Sequence, residues 1–143
     1  MATIPPAAGS SALPAEDRLA IRDLLDLYGH VIDERRWERF VEVFTSDCTY
    51  DASDFGMPIW NDLGELTEGM RGSDAHPLAH HATNVVIGAP DADGAVRVLS
   101  KGLGVGPKGR VGSAVYEDVA VRTSGGWRLR SRRASLRRPE PHP

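Results

Sequence analysis

Apolar and polar positions alternate along this chain in two distinct rhythms. Ile21, Leu24, Leu25, Tyr28, Val31 and Ile32 follow one another at steps of three, one, three, three and one. That spacing predicts an amphipathic helix, with Asp17, Arg22, Asp23 and Asp26 on its other side. Pro14-Ala15-Glu16-Asp17 suits its first turn, where proline costs no hydrogen bond and acids meet the positive end of the helix dipole. Trp37, Phe40, Val41 and Phe44 predict a second, shorter helix, and Cys48-Thr49-Tyr50-Asp51 a first strand. From His80 onward the period falls to two. Strands are predicted over Thr83–Ile87, Val96–Val105, Ser113–Thr123 and Trp127 to about Leu136, punctuated by Pro90–Gly94, Pro107–Arg110 and Ser124–Gly126. Links this short require antiparallel neighbours. Helices first and a meander afterwards predict an α+β domain, the helices packed on one face of a sheet.

Two parts of the pattern are less regular. Residues 52–79 carry the breakers Gly56, Pro58, Gly64, Gly69, Gly72 and Pro77, yet also Phe55, Met57, Ile59, Trp60, Leu63, Leu66 and Met70. A loop with one helical turn folded over something apolar fits this composition. It reads equally as a lid over a pocket or as an irregular piece of core or subunit contact. Gly102, Gly104 and Gly106 fall on one strand face and leave a bare strip, where a sheet bends sharply or a ligand finds room.

At 143 residues and a net charge of -3 the chain fits one domain with a core of its own and no general attraction for nucleic acid or anionic membranes. Residues 1–13 read as a disordered tail, 14–136 as the domain and 137–143 as a C-terminal tail. The arginines at 128, 130, 132, 133, 137 and 138 lack interleaved aromatics, so they read as a solvated strand face rather than a nucleic-acid site. The single cysteine, Cys48, reads as a small buried hydrophobe. No apolar run approaches a membrane span and the N-terminus lacks a signal-peptide pattern, so the expected location is the cytoplasm.

The candidate chemistry lies in Tyr28-Gly29-His30-Val31-Ile32-Asp33 and His80-His81-Ala82-Thr83-Asn84. A phenol and a carboxylate leave one helix end, and two imidazoles stand at a strand start. Brought together they would form an acid–base site. His80 and His81 point to opposite sides of a strand, so at most one of them faces a pocket. Asp74, His76, His80 and His81 could be read as metal ligands, but Pro77 interrupts the helix that their spacing needs, and neither metal nor cofactor is expected.

Ile21-Arg22-Asp23-Leu24-Leu25 running into Tyr28 and Asp33, Trp37 and Phe44 with Asp47, His81-Ala82-Thr83-Asn84-Val85, Tyr116-Glu117-Asp118 and Gly126-Trp127-Arg128 together resemble the SnoaL-like branch of the NTF2-like superfamily. The resemblance runs from about Glu16 to Arg133 and is nearest to the scytalone dehydratase and bile-acid dehydratase members. It implies a cone, in which a strongly curved antiparallel sheet is closed by helices around an apolar pocket. It also implies a homodimer or homotrimer and a small hydrophobic substrate. By that resemblance Asp33, His81 and Tyr28 are the catalytic candidates, with His81 as base or acid and Asp33 as its partner. Asp33 acting alone as base remains open. Tyr50, Trp60, Met57, Phe55 and Asn84 are the candidates for touching substrate. The expected activity is a cofactor-independent lyase, a dehydratase of polyketide-, terpenoid- or steroid-like rings. An isomerase or cyclase in the same pocket, and a non-catalytic binding or assembly subunit, are the alternatives.

Overall fold

The computed structural model describes residues 2–6 and 13–138. The expectations for Met1, residues 7–12 and residues 139–143 therefore lie outside the described residues, while Leu13 is buried in the core. Helix α1 spans Ala15–Asp33 and buries the stripe read from the sequence. It stops where Arg35 takes a left-handed backbone (φ 52°) and the Arg36 N–H turns back onto the Val31 carbonyl (2.8 Å). Its start is pinned by Asp17, whose carboxylate accepts from the Trp127 indole (3.0 Å) and pairs with Arg122.

A 3₁₀ turn over Trp37–Glu42 takes the place of the expected second α-helix. It still buries Trp37 and Phe40, but Val41 is exposed. The strands are β1 (Phe44–Asp51), β2 (Ile59–Trp60), β3 (Ala79–Pro90), β4 (Val96–Val105), β5 (Val111–Thr123) and β6 (Gly126–Leu136), and a second helix, α2, covers Leu63–Arg71. They form one sheet in the order β2-β1-β6-β5-β4-β3. The β3-to-β6 meander is antiparallel, as its short links demand. β1 instead lies parallel to β6, since the long stretch between them leaves its direction free. The architecture is the expected α+β one, with α1 packed on β3 and β6.

One irregularity changes the chemistry of the interior. Ala120 pairs with Leu129 but Val119 pairs with Ser131, so Arg130 is an extra residue in β6. The bulge shifts the alternation by one. Trp127 and Leu129 point inward before it, Arg132 and Ala134 after it. A strictly alternating β6 would leave Arg132 on the solvated face beside Arg128 and Arg130. The bulge puts it in the core, which corrects that expectation.

Candidate active site

Asp33 ends α1, and β3 passes directly over the preceding turn of the helix. A Cβ at Gly29 would lie 2.6 Å from the His80 carbonyl oxygen, so only glycine lets the strand come this close. The approach delivers His80 to Asp33. Asp33 Oδ2 accepts from the His80 backbone N–H (3.0 Å) and Oδ1 meets His80 Nδ1 (2.6 Å). A carboxylate offers acceptors alone, so Nδ1 carries the hydrogen, and in the neutral ring Nε2 is the nitrogen that holds the lone pair. Both side chains are largely shielded, 18% exposed for Asp33 and 13% for His80.

Beside this pair stands a wall of phenols. The Tyr28 and Tyr50 hydroxyls share a 2.6 Å hydrogen bond. Tyr116 meets Tyr28 edge-on, with ring centres 6.1 Å apart. Behind them lies Arg132, which donates from Nε and Nη2 to the two oxygens of Asp118 (2.8 and 2.9 Å). These surfaces border a cavity of about 540 Å³. Its lining includes Tyr28, Tyr50, Tyr116 and His80 together with Phe55, Met57, Trp60, Met70 and His76. Gly102, Gly104 and Gly106 line it as well. A Cβ at Gly102 would lie 2.4 Å from the Tyr116 ring and one at Gly104 2.9 Å from Pro77, so the bare strip lets these two side chains close in on β4. The volume falls in the range of small-molecule sites.

The SnoaL-like domain family model matches residues 14–133, most of the chain. This chain belongs to the SnoaL-like domain family. Among solved structures, a candidate aromatic ring hydroxylase from Novosphingobium aromaticivorans is 29% identical. It superposes with a TM-score of 0.72 over 89% of this chain and 93% of that one. A candidate scytalone dehydratase from the same organism is 19% identical, with a TM-score of 0.71 over 86% and 85% of the two chains, a likeness of fold alone. In sequence, the toluate 1,2-dioxygenase subunit beta of Pseudomonas putida is 37% identical over 49 residues. That match spans 34% of this chain and 27% of the subunit.

The SnoaL-like cone brings together Asp33, Tyr28, Tyr50, Trp60, Met57 and Phe55 at its cavity or immediately behind it. It does not bring His81 there. His81 is exposed on the other face of β3, opposite Leu103 of β4, and Asp33 is met by His80. The pleat gives the phase: α1 presses on the face of β3 that carries His80. Asn84 also stays away from the cavity. It is exposed, with a left-handed backbone (φ 53°), where the β3–β4 register breaks between Thr83 and Val86. Tyr116 and His76 line the cavity, although the sequence marks neither as a catalytic or substrate-touching candidate and raises His76 only as a metal ligand. The inward face shared by Tyr116, Asp118 and Ala120 was the available signal for Tyr116. For His76, whose Nε2 lies 2.8 Å from the Met70 carbonyl oxygen, the irregular 52–79 segment offered none. No helix of the described residues is long and apolar enough to cross a membrane. Cys48 is buried, and burial pushes its thiol up to about 11, which suits an unreactive core residue.

Tyr28, Tyr50 and Tyr116 are the only tyrosines of the chain. Burial pushes all three phenols above the ordinary value of 10.0, with the Arg132 charge pulling each of them back. A raised native value means the folded state holds protons that the unfolded chain releases near pH 10. This contribution to stability is fully present below pH 10 and is lost as pH rises through the native values. Alkaline titration followed at the tyrosinate absorbance is therefore expected to show no free phenol near pH 10. A single rise above it should coincide with loss of the near-ultraviolet circular dichroism. A step at pH 10 in the folded protein would contradict the buried wall.

Proposed function

We propose that this SnoaL-like protein is a lyase, a dehydratase that removes water from a small hydrophobic ring compound carrying an activated β-hydroxyl. The observation that carries the reading is the Asp33–His80 pair at the wall of an apolar cavity that also presents tyrosine hydroxyls. The role expected of His81 passes to His80. His80 Nε2 takes the proton from the carbon beside a carbonyl, while Asp33 holds the ring and supports the imidazolium that forms. Tyrosine hydroxyls hold the carbonyl oxygen as it gains enolate charge. The imidazolium then gives its proton to the departing hydroxyl. One C–H and one C–O bond break, one C=C bond forms, and water leaves. The side chains supply every proton transfer this sequence needs. Phe55, Met57 and Trp60 give the apolar surface that favours a polyketide-, terpenoid- or steroid-like ring. Return of the proton to a different carbon of the enolate would instead make the same site an isomerase, and attack of the enolate carbon on a second carbonyl of the ligand, with the proton passed to the new alkoxide, a cyclase.

The likeness to a dioxygenase subunit beta, one part of a larger assembly, favours a second reading, a binding or assembly subunit. Incubation with bicyclic β-hydroxy ketones separates the readings. A dehydratase produces a conjugated enone, seen as new ultraviolet absorbance and a mass lower by one water. An isomerase changes the spectrum at constant mass. Ligands that bind in the cavity without any conversion would support the assembly reading.

A further inference from the structure

The Arg132–Asp118 pair is the feature of this cavity's surroundings that folding explains least. Both side chains are 0% exposed. An apolar pair of the same volume is commonly as stable as a buried ion pair or more so, so packing alone does not require charges here. Their placement has a direction. The Arg132 guanidinium carbon lies 4.2 Å from the Tyr28 ring centre and 4.1 Å from that of Tyr116, held between two phenols. Asp118 occupies Nε and Nη2, while Nη1 is buried without a hydrogen-bond partner among the described residues. A cation against an aromatic face draws electron density from the ring, and a phenol so polarised donates a stronger hydrogen bond.

The hydroxyls in question are placed to use this. Tyr116 borders the cavity, and its hydroxyl makes no hydrogen bond among the described residues. Tyr28 and Tyr50 share a single hydrogen bond, so one of their two hydrogens is free for a ligand. The cavity lining contains no aspartate or glutamate among the described residues, and its charged member is Arg110. Asp33, behind His80, is engaged by two N–H groups of that residue.

We propose that Arg132 is a positioning residue which Asp118 holds between the Tyr28 and Tyr116 rings. There it strengthens the tyrosine hydroxyls as donors, so that the cavity selects a ligand with an acidic oxygen, a phenol or enol bound as its oxyanion. This deepens the lyase reading and rests on it for the identity of the oxygen as that of an enolate.

The test uses 4-nitrophenol, whose phenolate absorbs visible light, titrated with saturating full-length protein. Bound probe is expected to ionise about one pH unit lower than free probe, about a tenfold preference for the phenolate. The shift should survive His80→Ala and shrink in Tyr116→Phe. It should vanish in the double variant Asp118→Leu/Arg132→Met, with circular dichroism unchanged. If that variant does not fold, Asp118→Asn/Arg132→Gln, neutral but still able to hydrogen-bond, is expected to lose the shift as well. Persistence of the shift in a folded neutral pair overturns the role of Arg132. A wild-type protein that does not bind the probe, or binds it without a shift, overturns the ligand class. A shifted probe without dehydration of any β-hydroxy ketone would sink the lyase reading and leave the role of Arg132 standing. Dehydration with an unshifted probe would do the reverse.

Discussion

His80→Ala is expected to lower kcat by about 10²–10⁴-fold, the usual contribution of a general acid–base group, while His81→Ala stays close to wild type. The two residues are adjacent and carry the same side chain, so the comparison isolates geometry. His80 is held at Nδ1 by Asp33, with Nε2 left as base, whereas His81 is exposed on the opposite face of β3. Asp33→Asn should also lose most of the rate, because an amide can present an N–H to Nδ1 and so favour the wrong tautomer. Binding of an inert ring ligand should change little in either His80→Ala or His81→Ala. The measurement is kcat and KM on a converted β-hydroxy ketone, with ligand affinity taken separately. Loss of turnover in His81→Ala with full activity in His80→Ala would refute the assignment.

The largest expected effect on stability comes from removing one half of the buried pair. Arg132→Met leaves Asp118 enclosed with no partner, and breaking such a pair costs about 3–5 kcal/mol. For a domain of this size that is a large part of its total stability. The double variant Asp118→Leu/Arg132→Met should recover nearly all of it, because hydrophobic replacement of a whole buried pair is often neutral or stabilising. Urea denaturation of the wild type and these two variants reads the result as midpoints at constant slope. A single variant within about 1 kcal/mol of wild type would mean that water reaches the pair. A double variant as unstable as the single would mean that the neighbouring tyrosines depend on the charge for their packing.

Much of the fold was readable from patterning because the signals were local. The α1 stripe from Ile21 to Ile32 is buried as its spacing required, and the turns at Asp91–Gly94 and Ser124–Gly126 determine the antiparallel meander. The site was half readable. Tyr28 and Asp33 sit on a long helix whose face follows from its apolar stripe, so their convergence could be anticipated. The choice between His80 and His81 could not, since a strand has two faces and no neighbouring apolar alternation marks which one is covered. His80 and His81 are followed by Ala82, Thr83 and Asn84, none of which sets the phase.

Arg132 shows a longer-range version of the same limit. Read alone, Arg128, Arg130 and Arg132 form one polar face, and nothing in β6 announces an extra residue at Arg130. The bulge exists because β6 is paired against β5, and its consequence is a charge held between two tyrosines drawn from α1 and β5. The amino-acid order by itself determined the helix, the strands, the class of fold and the kinds of acid and base the chain could use. Which histidine meets the carboxylate, and which arginine enters the core, were decided by strand phase and register. Those depend on contacts between segments tens of residues apart, and a shift of one residue reverses the face that every later side chain presents.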